Sequence, residues 1–171
     1  MTTIIRAGEK DINLLAEIGR ISFIESHGSS AAAEDIEAYV NANYTYEAFR
    51  NDLIDPEKIY HVIYYEGRVA GYSEIVFNDP HPESKQKNFT KLNRLYMLKE
   101  FYGMKLGYEL FRFNVGLSKQ NDQLGMWLYV WKENHRAVTF YEKAGFKIIG
   151  NHDFRISDKH SNPNHRMLLL Y

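Results

Sequence analysis

The sequence predicts one mixed α/β domain, and three observations carry that reading. Strand-like and helix-like stretches alternate along the whole chain, with no repeat, low-complexity tract or interdomain linker. Two strand-like runs, Lys58–Tyr65 and residues 68–77, are separated only by Glu66-Gly67, where glycine supplies the positive φ angle of a tight hairpin. Farther on, the run Trp127-Leu128-Tyr129-Val130-Trp131 leads into a helix-like stretch that stops at Gly145 and re-enters a strand at Phe146. With 171 residues, 44% hydrophobic and 15% aromatic, the chain can bury a core without metals or crosslinks, so residues 1–171 are read as one domain.

Taken in order, Thr2–Arg6 is expected to form the first strand. Asp11 then stands at a helix start, followed by Leu14, Ile18 and Ile21 at helical spacing, so this helix should lie against the sheet. Residues 25–30 are small and polar. Beyond them Ile36, Tyr39 and Val40 mark a second helical face, and residues 44–53 a short third helix. After the hairpin, residues 78–88 hold Pro80, Pro82 and several charges and read as an exposed loop. Residues 91–98 form the next strand, with Leu92, Arg94, Tyr96 and Leu98 on one face and Asn93, Leu95 and Met97 on the other. A glycine-containing loop then leads to a helix whose stripe is Leu106, Leu110, Phe113 and Leu117. In residues 134–146, Asn134 is the N-cap, Ala137, Phe140, Tyr141 and Ala144 share one face, and Gly145 suits a left-handed C-terminal position. One face packs and one hydroxyl is placed.

Composition removes several chemistries. The chain has no cysteine, so disulfides, thiolate metal sites and a cysteine nucleophile are excluded. A net charge of -1 gives no field to hold nucleic acid or an anionic membrane, and neither partner is expected. The first residues lack a signal-peptide core and no apolar run approaches the roughly 20 residues of a membrane span, so a cytoplasmic location is expected. His152, His160 and His165 cluster in sequence without a compact ligand spacing, and no metal is expected.

The loop Lys99-Glu100-Phe101-Tyr102-Gly103-Met104-Lys105-Leu106-Gly107 lies between a strand and a helix, where free N–H groups and the helix dipole converge on an anion. Neither G-x-x-x-x-G-K-[ST] nor G-x-G-x-x-G is present. Downstream, Asn134 is followed by Ala137 to Phe146 in the pattern A-x-x-F-Y-x-K-x-G-F. Together these segments resemble the GNAT family of N-acetyltransferases. The resemblance implies a mostly antiparallel sheet of about seven strands, splayed where the fourth and fifth part, with helices on both faces and acetyl-CoA entering the splay. The family's pyrophosphate loop, Q/R-x-x-G-x-G/A, falls on Tyr102, Gly103, Met104, Lys105, Leu106 and Gly107, with Tyr102 in place of Gln or Arg and Lys105 in place of the middle glycine. It also implies that Leu95, Tyr96 and Met97 hold the acetyl and pantetheine arm through main-chain hydrogen bonds, and that Asn134 reaches the pantetheine amide. Near the C-terminus, Gly150-Asn151-His152-Asp153-Phe154, Asp158 and Trp131 resemble the bacterial PaiA-type spermidine/spermine acetyltransferases, although Ser157 replaces a Gly of that pattern and an Asp near Asn164 is missing.

Acetyl transfer needs a neutral amine, and alkyl amines, like lysine, have a pKa of about 10.4, so a base must take a proton. The departing thiolate, with a conjugate acid near roughly 8.5, is helped by a proton donor. The resemblance assigns Tyr141 as that acid, since a phenol donates without first being ionised; its plain alternative is a tyrosine packed on the sheet. Where the family carries a glutamate on the fourth strand this chain has Asn93, so Glu74 is the candidate base, as a partly buried carboxylate whose pKa burial would raise. Its alternative is a solvated or salt-bridged strand carboxylate. The implied activity is direct transfer from acetyl-CoA to a small-molecule primary amine, foremost a polyamine, with Glu25, Glu34, Asp35 and Glu37 as the surface that would receive a polycation. A protein, peptide or aminoglycoside acceptor and a non-catalytic CoA-binding module are the alternatives. Tyr44 and Tyr46 are expected as exposed aromatics that would serve a homodimer contact.

Overall fold

A computed structural model describes residues 1–171. Strands β1 (Thr2–Arg6), β2 (Lys58–Tyr65), β3 (Arg68–Val76), β4 (Thr90–Met97), β5 (Gly125–Trp131), β6 (Lys147–Arg155) and β7 (Ser161–Leu170) form one seven-stranded sheet in the order β1-β2-β3-β4-β5-β7-β6. Every neighbouring pair is antiparallel except β4 and β5. Helices α1 (Ile12–His27), α2 (Ala33–Asn43) and α3 (Tyr46–Ile54) cover one face, and α4 (Leu106–Gln120) and α5 (His135–Lys143) the other. The two-residue period of β2 makes these layers: Tyr60 and Val62 pack into the first, Ile59 into the second. The β2–β3 hairpin turns through Glu66 (φ 49°) and Gly67 (φ 78°), the double positive φ that a two-residue link of this kind requires. No helix is long and apolar enough to cross a membrane.

The opening that matters lies between β4 and β5. Their parallel pairing consists of Thr90 with Met126 and Lys91 with Trp127, after which the strands part. Each stays anchored on its far side, β4 to β3 as far as Met97 opposite Gly71, and β5 to β7 as far as Trp131 opposite Asn164. A bulge sits at the same level of β4: Glu74 pairs with Arg94 and Ile75 with Leu92, leaving Asn93 without a partner. Such a bulge bends a strand and re-aims its side chains.

Four local expectations are corrected. Helix α1 follows a short 3-10 turn over Glu9–Asp11, and the Asp11 carboxylate accepts from the Gly8 amide at 2.9 Å instead of capping the helix. Its buried face is Leu15, Ile18, Ser22 and Phe23, while Ile21 is 41% exposed. Helix α4 buries Leu106, Leu110, Phe111, Asn114 and Ser118, and Phe113 turns outward. The reason is polar pairing inside the core: Asn114 Nδ2 donates to Ser73 Oγ at 2.9 Å, and Ser118 Oγ lies 2.6 Å from Thr90 Oγ1. Buried hydrogen bonds let polar residues hold core positions that a hydrophobic pattern gives to others. Tyr44 is buried against Phe23 and Phe49, so of the two tyrosines expected at a dimer contact only Tyr46 is exposed.

Candidate active site

The splay is a cleft whose walls come from β4, β5, the end of α1, β6, β7 and the start of α5. Of the residues singled out in the sequence, Leu95, Tyr96, Asn134 and Tyr141 line it, together with Asn93, Trp131, Phe154 and Asn164. Asn134 Oδ1 accepts from the Ala137 amide at 3.2 Å, which fixes the start of α5 and so the reach of Tyr141 two turns on. The Tyr141 ring is nearly buried against Phe140 and Phe146. Burial, and secondarily Tyr96, raises its phenol well above the ordinary 10.0, against a smaller downward pull from Arg136. It stays protonated through the neutral range.

Met97, Tyr102, Gly103, Lys105, Leu106 and Gly107 line a second groove between the start of α4 and α5, whereas Met104 faces outward. Lys105 adopts the left-handed conformation (φ 62°, ψ 4°) and Gly103 a positive φ of 82°. The middle position of the loop therefore keeps a glycine-like backbone although it carries a lysine, at a cost of roughly 1 kcal/mol. The amides of Gly103, Lys105, Leu106 and Gly107 donate to no backbone carbonyl, and Lys105, Arg136 and Lys143 supply positive charge around them. Unpaired amides at a helix start with cations beside them fit a pyrophosphate. Arg136, on the first turn of α5, stacks over the Tyr102 ring at 3.5 Å from its centroid. That pair puts a guanidinium beside Tyr102, the residue that stands in place of the motif's Gln or Arg. Arg136 was not legible in the sequence because it meets Tyr102 across the groove, whereas Lys143 is the lysine of the A-x-x-F-Y-x-K pattern.

Glu74 is corrected from a partly buried carboxylate to a fully buried one that lines neither cavity. Tyr60 Oη lies 2.8 Å from it, Asn93 Nδ2 donates at 3.0 Å, and Arg94 Nε sits 3.2 Å away. Tyr60 Oη also lies 2.6 Å from Asp52, so one phenolic proton serves two carboxylates. Arg94 and Lys58 balance their charge, and the Arg94 guanidinium lies over Tyr44 and Phe49 at 5.2 and 5.1 Å.

His27, the last residue of α1, is a cleft residue that the sequence did not reveal. Its ring stacks on Phe23 at 4.8 Å and lies 5.7 Å from Trp131. Ser26 Oγ lies 2.7 Å from His27 Nδ1 and 2.8 Å from Ser22 O. With the serine proton on Ser22 O, the imidazole carries its hydrogen on Nδ1 and keeps the lone pair on Nε2. Burial lowers the imidazole pKa to about 4, leaving it uncharged at neutral pH. The other histidines lie apart: His152 stacks on Tyr129 at 4.1 Å, and His160 Nε2 is 2.9 Å from Asn162 Oδ1. No three His, Asp or Glu side chains gather as metal ligands.

The family model described as Acetyltransferase (GNAT) family matches residues 25–146, more than half of the chain. The chain belongs to the GNAT family. An uncharacterized N-acetyltransferase from the pepI 3' region of Lactobacillus delbrueckii subsp. lactis is 26% identical over 155 residues, covering 91% of this chain and 90% of that protein. The spermidine N(1)-acetyltransferase of Thermoplasma acidophilum is 24% identical over 143 residues, covering 81% of this chain and 84% of that one. Among solved structures, the PaiA N-acetyltransferase of Thermoplasma acidophilum in complex with coenzyme A superposes with a TM-score of 0.80 at 22% identity, covering 100% of this chain and 99% of that chain. At that identity the likeness shows the fold. The splayed, mostly antiparallel sheet with helices on both faces is the GNAT fold that the motifs implied.

Proposed function

We propose that this GNAT N-acetyltransferase moves the acetyl group of acetyl-CoA directly to a small primary amine in the β4/β5 cleft, with Tyr141 as proton donor. Family membership supplies the reaction class and the co-substrate. The observation that carries the residue assignment is the pairing of a protonated, cleft-lining phenol at Tyr141 with a cationic groove of unpaired amides at the start of α4. Gly103, Lys105, Leu106, Gly107 and Arg136 would hold the pyrophosphate, and Asn134 and the open edge of β4 from Leu95 to Met97 the pantetheine arm. Bound acetyl-CoA supplies the thioester carbonyl: its C–S bond breaks as a C–N bond forms, the sulfur takes a proton and the amine loses one.

Tyr141 Oη holds the proton for the sulfur. With no cysteine in the chain, a thioester on the protein is not available, which supports direct transfer. For the proton leaving the amine, Glu74 was the expected acceptor, yet its carboxylate lies behind Asn93 and is engaged by Arg94. His27 is a neutral imidazole on the cleft wall, and we assign the acceptor role to it. With a pKa lowered to about 4 it serves only the proton shed once the C–N bond forms and the nitrogen becomes acidic, while the ammonium form of the amine gives its first proton to water before it binds. His27→Gln and Glu74→Gln, compared with wild type in a pH–rate profile, separate the two. The variant that loses kcat while keeping its KM for acetyl-CoA carries the role.

A polyamine is the first acceptor to test, because a relative is a spermidine acetyltransferase. The carboxylates expected to receive it, Glu25, Glu34, Asp35 and Glu37, are absent from the cleft walls, and Glu25 accepts from the Lys99 amide at 2.8 Å. The test is thiol release from acetyl-CoA with a panel of amines. Release with a small amine supports the reading, and CoA binding without release across the panel favours a CoA-binding module.

A further inference from the structure

We propose that the acceptor subsite of this cleft takes a monoamine with an aromatic or other apolar body, in preference to a polyamine. The proposal rests on the transferase reading given above. Beside Tyr141, the aromatic side chains of Phe23, Tyr96, Tyr129, Trp131 and Phe154 line the cleft. Its charged lining residues are Lys91 and Arg94, and no carboxylate is among them. Arg94 is matched by Glu74 and Asp52, so those two acids are already spent on a cation of the protein itself. Lys91 has no acidic partner; its Nζ lies over the Trp127 and Tyr129 rings at 5.2 and 5.8 Å. A second or third ammonium group of a polyamine entering here would lose water, gain no counter-charge and meet Lys91.

What the walls offer instead is apolar ring surface and neutral hydrogen-bond acceptors. Asn164 is only 6% exposed, lines the cleft, and its Oδ1 is buried with no partner. A buried acceptor without a donor is rare enough to ask for one from a ligand. The His27 imidazole, on the same cleft, adds a second neutral acceptor when Nδ1 carries its hydrogen. A neutral primary amine carries two N–H donors and one lone pair. Acceptors of this kind engage the donors and leave the lone pair free to attack, while the rings stack on the body of the amine.

The test compares kcat/KM for thiol release from acetyl-CoA with 2-phenylethylamine, putrescine and spermidine, in wild type and in the near-isosteric Asn164→Asp. The expected result is a wild-type preference for 2-phenylethylamine of at least about tenfold over both polyamines, shrinking at least about threefold in Asn164→Asp, which puts a carboxylate at the unpartnered oxygen. Equal or better use of spermidine by wild type overturns the acceptor class and leaves the transferase reading standing. An unchanged ratio in Asn164→Asp, with both proteins active, overturns the charge argument. No release by a wild type that binds CoA overturns the transferase reading and the acceptor class with it.

Discussion

Lys105 shows how one residue can depart from a motif and keep its geometry. Its left-handed backbone is the conformation a glycine would take without penalty. Lys105→Gly should therefore raise the stability of the CoA-free protein by up to about 1 kcal/mol, read as a higher midpoint in urea. A fall in the midpoint would mean that the lysine side chain contributes more to the folded state than its backbone costs. At this scale the sequence was informative wherever chemistry is local: the Asn134 cap, the Gly145 stop and the face of Tyr141 all follow from spacing along one helix. It was silent where partners come from afar. The closure of Glu74 depends on Tyr60, Asn93 and Arg94 from two other strands, and the environment of His27 on Trp131 from a strand over a hundred residues away.

Between elements, the groove of α4 and α5 is held by a contact that no single segment encodes, the stack of Arg136 on Tyr102. If Arg136 faces a phosphate there, Arg136→Ala should weaken CoA binding about tenfold in calorimetry, in line with the loss of one charge-assisted hydrogen bond, and the loss should shrink at high salt. Tyr102→Ala should give a smaller effect, because it frees the guanidinium without removing it. A salt-independent loss in Arg136→Ala would point to altered helix packing instead. Helix boundaries were legible from caps and glycines, but helix rotation was less so. In α1 and α4 the buried faces include Ser22, Asn114 and Ser118, and a count of apolar residues turns each helix slightly from its true seat.

For the molecule as a whole, the alternation of strands and helices gave the class, and the two motif segments implied the splay between β4 and β5. The insertion of β7 between β5 and β6 has no local signature, since it depends on which strand edges meet. Global stability should carry a mark of the buried imidazoles. Burial lowers His27 from the ordinary 6.5 to about 4, and burial followed by the charge of Arg6 does the same to His61. Between those values the unfolded chain binds more protons than the folded one. The stabilisation is thus complete above about pH 6.5 and is lost as pH falls toward about 4, on the order of 1–3 kcal/mol for each histidine. Urea midpoints measured down this range should fall more steeply for wild type than for His27→Gln; parallel curves would contradict a buried neutral His27.

The central claim is that a GNAT fold with an altered phosphate loop is a working amine acetyltransferase whose acid is Tyr141. Its most direct test is thiol release from acetyl-CoA with wild type and Tyr141→Phe side by side, using the best amine of the panel and with CoA affinity measured for both. The account predicts amine-dependent release by wild type and a fall in kcat of at least about tenfold in Tyr141→Phe, with CoA affinity unchanged. Equal turnover by the two proteins would contradict the assignment of Tyr141 as the proton donor.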